Sequence, residues 1–266
     1  MNDMKHSFRQ YRLPEPGRYN AQSGNINYLD STDLERPLTM RAKNGLILLV
    51  IVIVAAIIGY MFLNSTIFES QRQHESDLQT ITETVAREAS VNNLPNLAGL
   101  TALDDASILA QAQESGAIYD IAAAKGEKGV SYYRFPSGVT AEEGTALYAK
   151  GISSLSGVNA AKLLAGGYSL SVSHDAGTTI VARYADFTSS SSADAISAAL
   201  QAQGIDPASA TESGTDDSGN DYQTGSLDAN GSTYTWRVSV LPLSDMYSIS
   251  DLPSSAFYVG IRLQSV

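Results

Sequence analysis

The longest apolar run in the chain is Gly45–Leu63 (GLILLVIVIVAAIIGYMFL). It contains no charged side chain, and Arg41 and Lys43 stand just ahead of it. As a helix rising about 1.5 Å per residue it is about 28 Å long, close to the hydrocarbon thickness of a bilayer. Being apolar on every side, it does not read as the one-sided helix of a soluble core. It also exceeds the apolar core of a secretory signal, and Asn64-Ser65-Thr66-Ile67-Phe68 offers no small-x-small cleavage pattern. The pattern predicts an uncleaved transmembrane helix over 45–63.

After the span the apolar positions thin to a helical stripe. Leu78, Ile81 and Val85 share one face, while Glu69, Arg72, Glu75, Asp77, Glu83 and Arg87 occupy the others. Extended backward, the heptad seam meets Gln71 and His74, so the pattern predicts a stalk helix to Asn93 rather than a long coiled coil. Pro95 and Gly99 are expected to break it. A second short helix follows over 103–114, with apolar Ala106, Leu109 and Ala110, and closes a stalk region over 64–115.

From residue 116 the period shortens, predicting an α+β domain to 266. Ala117–Ala122 and Val130–Phe135 flank a glycine-containing turn. Thr140-Ala141-Glu142-Glu143 is a capping box that opens a helix with Leu147, Tyr148, Ile152 and Leu155 inward and Gly157 at its stop. Tyr168, Leu170 and Val172 alternate with serines; after a turn at 175–177, Ile180, Ala182 and Tyr184 alternate again. Ser191 or Ser192 caps a helix with Ile196, Ala199 and Leu200 inward and Gly204 at the stop. The acidic stretch Glu212–Gly219 reads as an exposed loop. Asp228-Ala229-Asn230-Gly231 joins two strands in a hairpin, and Phe257, Val259 and Ile261 mark a last strand. Counted from Val130, the order is βαββαβ. That predicts a ferredoxin-like core with added hairpin strands, an antiparallel sheet carrying its helices on one face.

Charge orients the chain. Residues 1–44 carry seven Lys/Arg against five Asp/Glu, a net of +2; the whole chain carries −11, leaving −13 beyond the tail. Basic residues beside a span favour the cytoplasmic side, so the tail is expected inside and the domain outside. An acidic domain repels nucleic acid, so no nucleic-acid partner is expected. The tail, with Pro14-Glu15-Pro16-Gly17 and little apolar periodicity, is expected to be disordered in isolation. Its Tyr11, Tyr19, Ile26, Tyr28 and Leu29 leave two readings open, a segment that docks a cytoplasmic partner or a solvated tether. With no cysteine there is no disulfide framework and no thiolate metal site. Frequent Ala, Ser, Gly and Asp, with more Arg than Lys, suit a bacterial chain.

Candidate chemistry is sparse. His174-Asp175 beside Ser171 and Ser173 has the residue types of a hydrolytic triad, but adjacency in sequence is not triad geometry, and no G-x-S-x-G is present. Asp216–Asp221 resembles half a calcium loop but lacks the required Gly and Glu, since those positions hold Asp221 and Leu227. Tyr132, Tyr133, Tyr168, Tyr184, Tyr234 and Trp236 fall on strands, where core packing outweighs a stacking surface. No residue is singled out as catalytic, cofactor-binding or metal-binding.

In its domain order of cytoplasmic tail, single span, stalk helix and small α+β head, the chain resembles the inner-membrane alignment proteins of type IV pilus and type II secretion systems. The resemblance implies a non-catalytic, single-pass envelope scaffold, with a protein partner on the stalk or sheet face and a homodimer as one form. The alternatives are an ectodomain that senses a ligand and signals to the tail, and a cell-wall enzyme.

Overall fold

The computed structural model describes residues 40–87, 90–175 and 177–266. The chain divides into two units, Met1–Ser65 and Thr66–Val266. The expected tail lies, as far as residue 39, outside the described residues. In the first unit residues 40–65 form the beginning of α1 (Met40–Arg87), and every side chain from Ile47 to Leu63 is exposed. Among the described residues this is the one helix long and apolar enough to cross a membrane.

In the second unit α1 continues to Arg87 and binds its last turns to the rest of that unit. Ile81 is 2% exposed, Val85 is half-buried, and Leu78 stays 37% exposed. Ile81 seats on Gly157, where a Cβ would come within 3.0 Å of its Cδ1 and 2.7 Å of the Ser250 carbonyl oxygen. The stalk therefore does not run on to Asn93; a 3-10 turn (Ser90–Asn93) leads instead into α2 (Leu97–Leu100). Gly99 lies inside α2, its N–H capped by the Asn96 side chain. Buried Gln203 accepts from the Leu97 N–H at 2.8 Å and donates to the Pro95 carbonyl at 3.2 Å, which fixes this connection. Helix α3 (Asp105–Ser115) turns Ile108 and Ala112 inward, with Leu109 at the edge and Ala106 and Ala110 exposed.

Eight strands form one antiparallel sheet. β1 (Ile118–Asp120) and β2 (Val130–Arg134) flank the short α4 (Ile121–Lys125), which Asp120 caps and Gly126 ends at φ 69°. α5 (Ala141–Ala149), capped by Thr140 as the box predicts, and α6 (Gly157–Leu164) precede β3 (Tyr168–Ser173). β4 (Thr179–Asp186) leads to α7 (Ser192–Ala202), whose cap is Ser191 and whose stop is Gly204 at φ 69°. β5 (Ala210–Thr215), β6 (Asp221–Ala229) and β7 (Ser232–Pro242) form a meander. The short α8 (Leu243–Met246) precedes β8 (Phe257–Ser265). The order is β1-β2-β3-β4-β8-β7-β6-β5. Asn230 and Gly231, at φ 51° and 80°, make the expected two-residue turn between β6 and β7.

This pairing is not the ferredoxin-like one. A split βαβ unit would return β3 parallel to β2 with another strand between them, whereas β2 and β3 are antiparallel neighbours, Tyr132 opposite Leu170. The cause lies in the connection. The pattern predicts one helix ending at Gly157, but α5 stops at Ala149 and Gly157 begins α6, so the chain runs out and back before re-entering the sheet. The stretch expected as a loop from Glu212 holds β5, an edge strand with both faces polar and hence no alternation to read.

Nor do the helices share one face. Tyr132, Leu170, Ala182, Ile261, Trp236 and their neighbours turn to the α7 side, where α2, α3 and α7 complete the larger core. The opposite face carries a smaller core at one end, where Tyr133, Phe135 and Ala185 meet Leu147, Leu163 and Leu243 of α5, α6 and α8. Beyond that end, the same face presents serine, threonine and arginine.

Candidate functional site

The residues that suggest a hydrolase do not converge. His174 faces α3: its Nε2 is 3.2 Å from Asp105 Oδ1, and its Nδ1 is 3.3 Å from Thr178 Oγ1. Ser173 donates to Asp175 at 3.3 Å, so neither serine nor the adjacent aspartate enters a relay with the imidazole.

The Asp216–Asp221 segment is a structural turn. Asp216 accepts from the N–H groups of Ser218 and Asn220, from the Asn220 amide and from Arg237, whose guanidinium lies 4.0 Å from the Tyr222 ring centroid. Asp221 accepts from Ser192 and Thr215, tying the turn to the start of α7. Hydrogen bonding, chiefly from Asn220 to Asp216 and from Ser192 to Asp221, holds both carboxyls below the usual carboxylate range. Among the described residues no three His, Asp or Glu side chains gather as metal ligands. The strand aromatics Tyr132, Tyr133, Tyr168, Tyr184, Tyr234 and Trp236 are buried, as core packing predicts.

The feature the sequence reading misses is a groove of about 490 Å³ at the junction of the two parts of the α6 face. Its floor is made by β2, β3 and β4. Ser131 pairs across the strands with Ser171, and Ser169 with Arg183. On the other flank of Arg183 the register places Gly260, which has no side chain to crowd the guanidinium. The walls are tyrosines. Tyr133 and Tyr148 stand 4.9 Å apart, Tyr148 packs on Tyr119 at 5.0 Å, and Tyr247 meets Tyr258 edge-on at 5.8 Å. Lys125 and Ile121 of α4 and Met246 of α8 complete the rim.

Burial raises the pKa of Tyr133, Tyr148, Tyr247 and Tyr258, with neighbouring tyrosines reinforcing it at the first three and the Arg183 charge opposing it at Tyr247 and Tyr258. All four are therefore neutral phenols at physiological pH. Tyr133 donates to the Leu163 carbonyl at 2.9 Å. The groove contains hydroxyl donors and acceptors, ring surface and two cations, but no paired acid and base at a reacting distance. Such a set has the chemistry to bind and orient a ligand. In retrospect its signal was the alternation YSLSVS, whose serines form the polar face of β3, with Arg183 in the matching phase of β4.

No family model matches the chain, and no curated protein or solved structure matches it significantly.

Proposed function

We propose that the protein is a single-pass membrane protein of the bacterial cell envelope, with its N-terminal tail in the cytoplasm and its α+β head outside. In this reading the head is a non-catalytic binding module that serves as a scaffold or assembly component. The observation that carries the proposal is the exposed, uncharged helix surface from Ile47 to Leu63. In water such a surface is opposed by about 25 cal/mol for every Å² of apolar area, and a bilayer removes that penalty. Arg41 and Lys43 favour the cytoplasm for the end they flank, and the acidic remainder suits the outside. Further along α1, Ile67, Phe68 and Leu78 are exposed and offer a partner or a second copy an apolar contact, while Ile81 is already used within its own unit.

The test combines topology with partner capture. Protease added to intact protoplasts should remove the head and spare a tag at Met1, and the full chain extracted in mild detergent should carry a stoichiometric protein partner. A head cleaved only after lysis, or a chain recovered without any partner, refutes the corresponding half. A ligand-sensing ectodomain is the second reading, and the groove is the observation that favours it.

A further inference from the structure

The groove can be assigned a ligand class, on the premise that the head binds rather than catalyses. The chain has 28 acidic against 17 basic residues, and residues 116–266 hold 15 against 8. Yet among the described residues no Asp or Glu lines the groove, while Lys125 and Arg183 both do. The absence of acids there runs against the composition of the whole head.

Arg183, like Arg134 and Arg262, has no carboxylate within ion-pair distance among the described residues, whereas Lys162 and Arg237 each have one. Its register partners are Ser169 and Gly260, and its charge falls on the phenols of Tyr247 and Tyr258. Along the next strand the same face carries Arg262 directly opposite Arg237, a like-charge pair that opposes sheet formation. Arg237 is neutralised by Asp216; Arg262 is left with Gln264. Arg262 thus adds one further cation without a carboxylate partner among the described residues on this face.

The floor hydroxyls of Ser131, Ser169 and Ser171 make no hydrogen bond to any described residue. They stand as two cross-strand pairs, Ser131 with Ser171 and Ser169 with Arg183, so the free hydroxyls and the guanidinium lie side by side. A row of free hydroxyls suits a polyhydroxylated ligand. The half-buried rings of Tyr148, Tyr247 and Tyr258 give flat apolar surface for the C–H face of a sugar ring and phenols that can donate to its oxygens. The buried Tyr133 phenol is instead committed to the Leu163 carbonyl. A guanidinium fork matches the two oxygens of a carboxylate. At about 490 Å³ the groove falls within the usual range of small-molecule sites.

We infer that the groove between the β2–β3–β4 floor and the α4 and α8 rim binds an acidic oligosaccharide, with a sugar carboxylate on Arg183 and the sugar rings against the tyrosine walls. Lys125 at the rim attracts the anion, and the serine floor holds its hydroxyls.

The full chain in neutral phosphatidylcholine nanodiscs, which present neither a sugar detergent nor an anionic lipid, is titrated calorimetrically with trigalacturonate, maltotriose and inorganic phosphate. Trigalacturonate should bind saturably and at least tenfold more tightly than either control. Arg183→Gln should weaken it at least tenfold, and Ser171→Leu, which fills the floor, should weaken it comparably. Both variants must keep the wild-type melting temperature, and Arg183→Lys, which keeps charge but not the fork, should recover only part of the affinity. Phosphate binding as tightly as trigalacturonate overturns the saccharide assignment in favour of a bare anion site. Saturable binding unaffected by Arg183→Gln, or no binding of trigalacturonate at millimolar concentration, overturns the site itself. These outcomes are independent of membrane topology and of partner capture, so the scaffold reading stands or falls separately.

Discussion

Trp236 offers a sharp test of how the larger core is built. Its side chain is fully buried, and the ring lies over Gly225 of the neighbouring strand, where a Cβ would stand 2.5 Å from it. Among the described residues its buried indole N–H has no acceptor. A tryptophan buries at most about 250 Å², which at about 25 cal/mol per Å² gives an upper bound of roughly 6 kcal/mol. Alanine keeps the Cβ, and the unfolded chain already covers part of that area, so Trp236→Ala should cost about 3–5 kcal/mol. Phenylalanine behaves differently. It leaves a void of about 40 Å³, worth about 1 kcal/mol, but it also removes an unsatisfied donor whose burial costs about 1–3 kcal/mol. Trp236→Phe should therefore lie between wild-type stability and about 2 kcal/mol above it. Urea unfolding of the Thr66–Val266 unit measures both changes. Circular dichroism is the appropriate signal, because Trp236 is the sole tryptophan and either variant abolishes its fluorescence. If Trp236→Phe costs as much as Trp236→Ala, the indole N–H has a partner and the reasoning fails.

The seat of α1 makes a second test: Gly157→Ala should destabilise the same unit by about 1–3 kcal/mol by forcing the Ser250 carbonyl away, and Ile81→Ala by about 2–5 kcal/mol. Wild-type melting in both variants would show that α1 does not pack there. Acid stability supplies a third test. The Asp216 and Asp221 carboxyls bind protons less readily folded than unfolded, so their contribution is complete above the ordinary carboxylate value near pH 4 and is lost as pH falls through their folded values. Melting temperature should fall below about pH 4, and less steeply in Asp216→Asn; an unchanged acid limb in that variant refutes the assignment.

Several elements were legible because local chemistry and long-range packing agree on them. Thr140, Ser191 and Asn230-Gly231 act through their own backbone or that of their neighbours, so the cap and turn patterns identify them without reference to the rest of the fold. Tyr234, Trp236, Val238 and Val240 alternate because one face of β7 is buried and the other is not. Gly157 misled because its reason is long-range. It reads as a helix stop, yet it opens α6 where Ile81 and Ser250 leave no room for a side chain. That single boundary hides α6, and with it the reversal that makes β2 and β3 antiparallel neighbours. β5 was hidden for a different reason: an edge strand polar on both faces has no hydrophobic period. The groove was missed because Ser131, Ser169, Arg183 and Tyr258 come from four strands and become neighbours only through the register.

The two faces of the central strands separate the larger core from the groove to which a ligand is proposed. In β3, Tyr168, Leu170 and Val172 enter the α7-side core, while Ser169, Ser171 and Ser173 turn the other way. β4 repeats the division, with Ile180, Ala182 and Tyr184 on one side and Thr179, Val181 and Arg183 on the other. A face that served only as core would not carry serines within reach of the tyrosine wall. Because alternate residues point to opposite sides, the two roles are physically separated by a single peptide step. Changes at Ser169, Ser171 and Arg183 can therefore test the proposed site while leaving Leu170 and Ala182 packed. That separation would make the proposed binding surface on this sheet compatible with the stability of a cysteine-free domain.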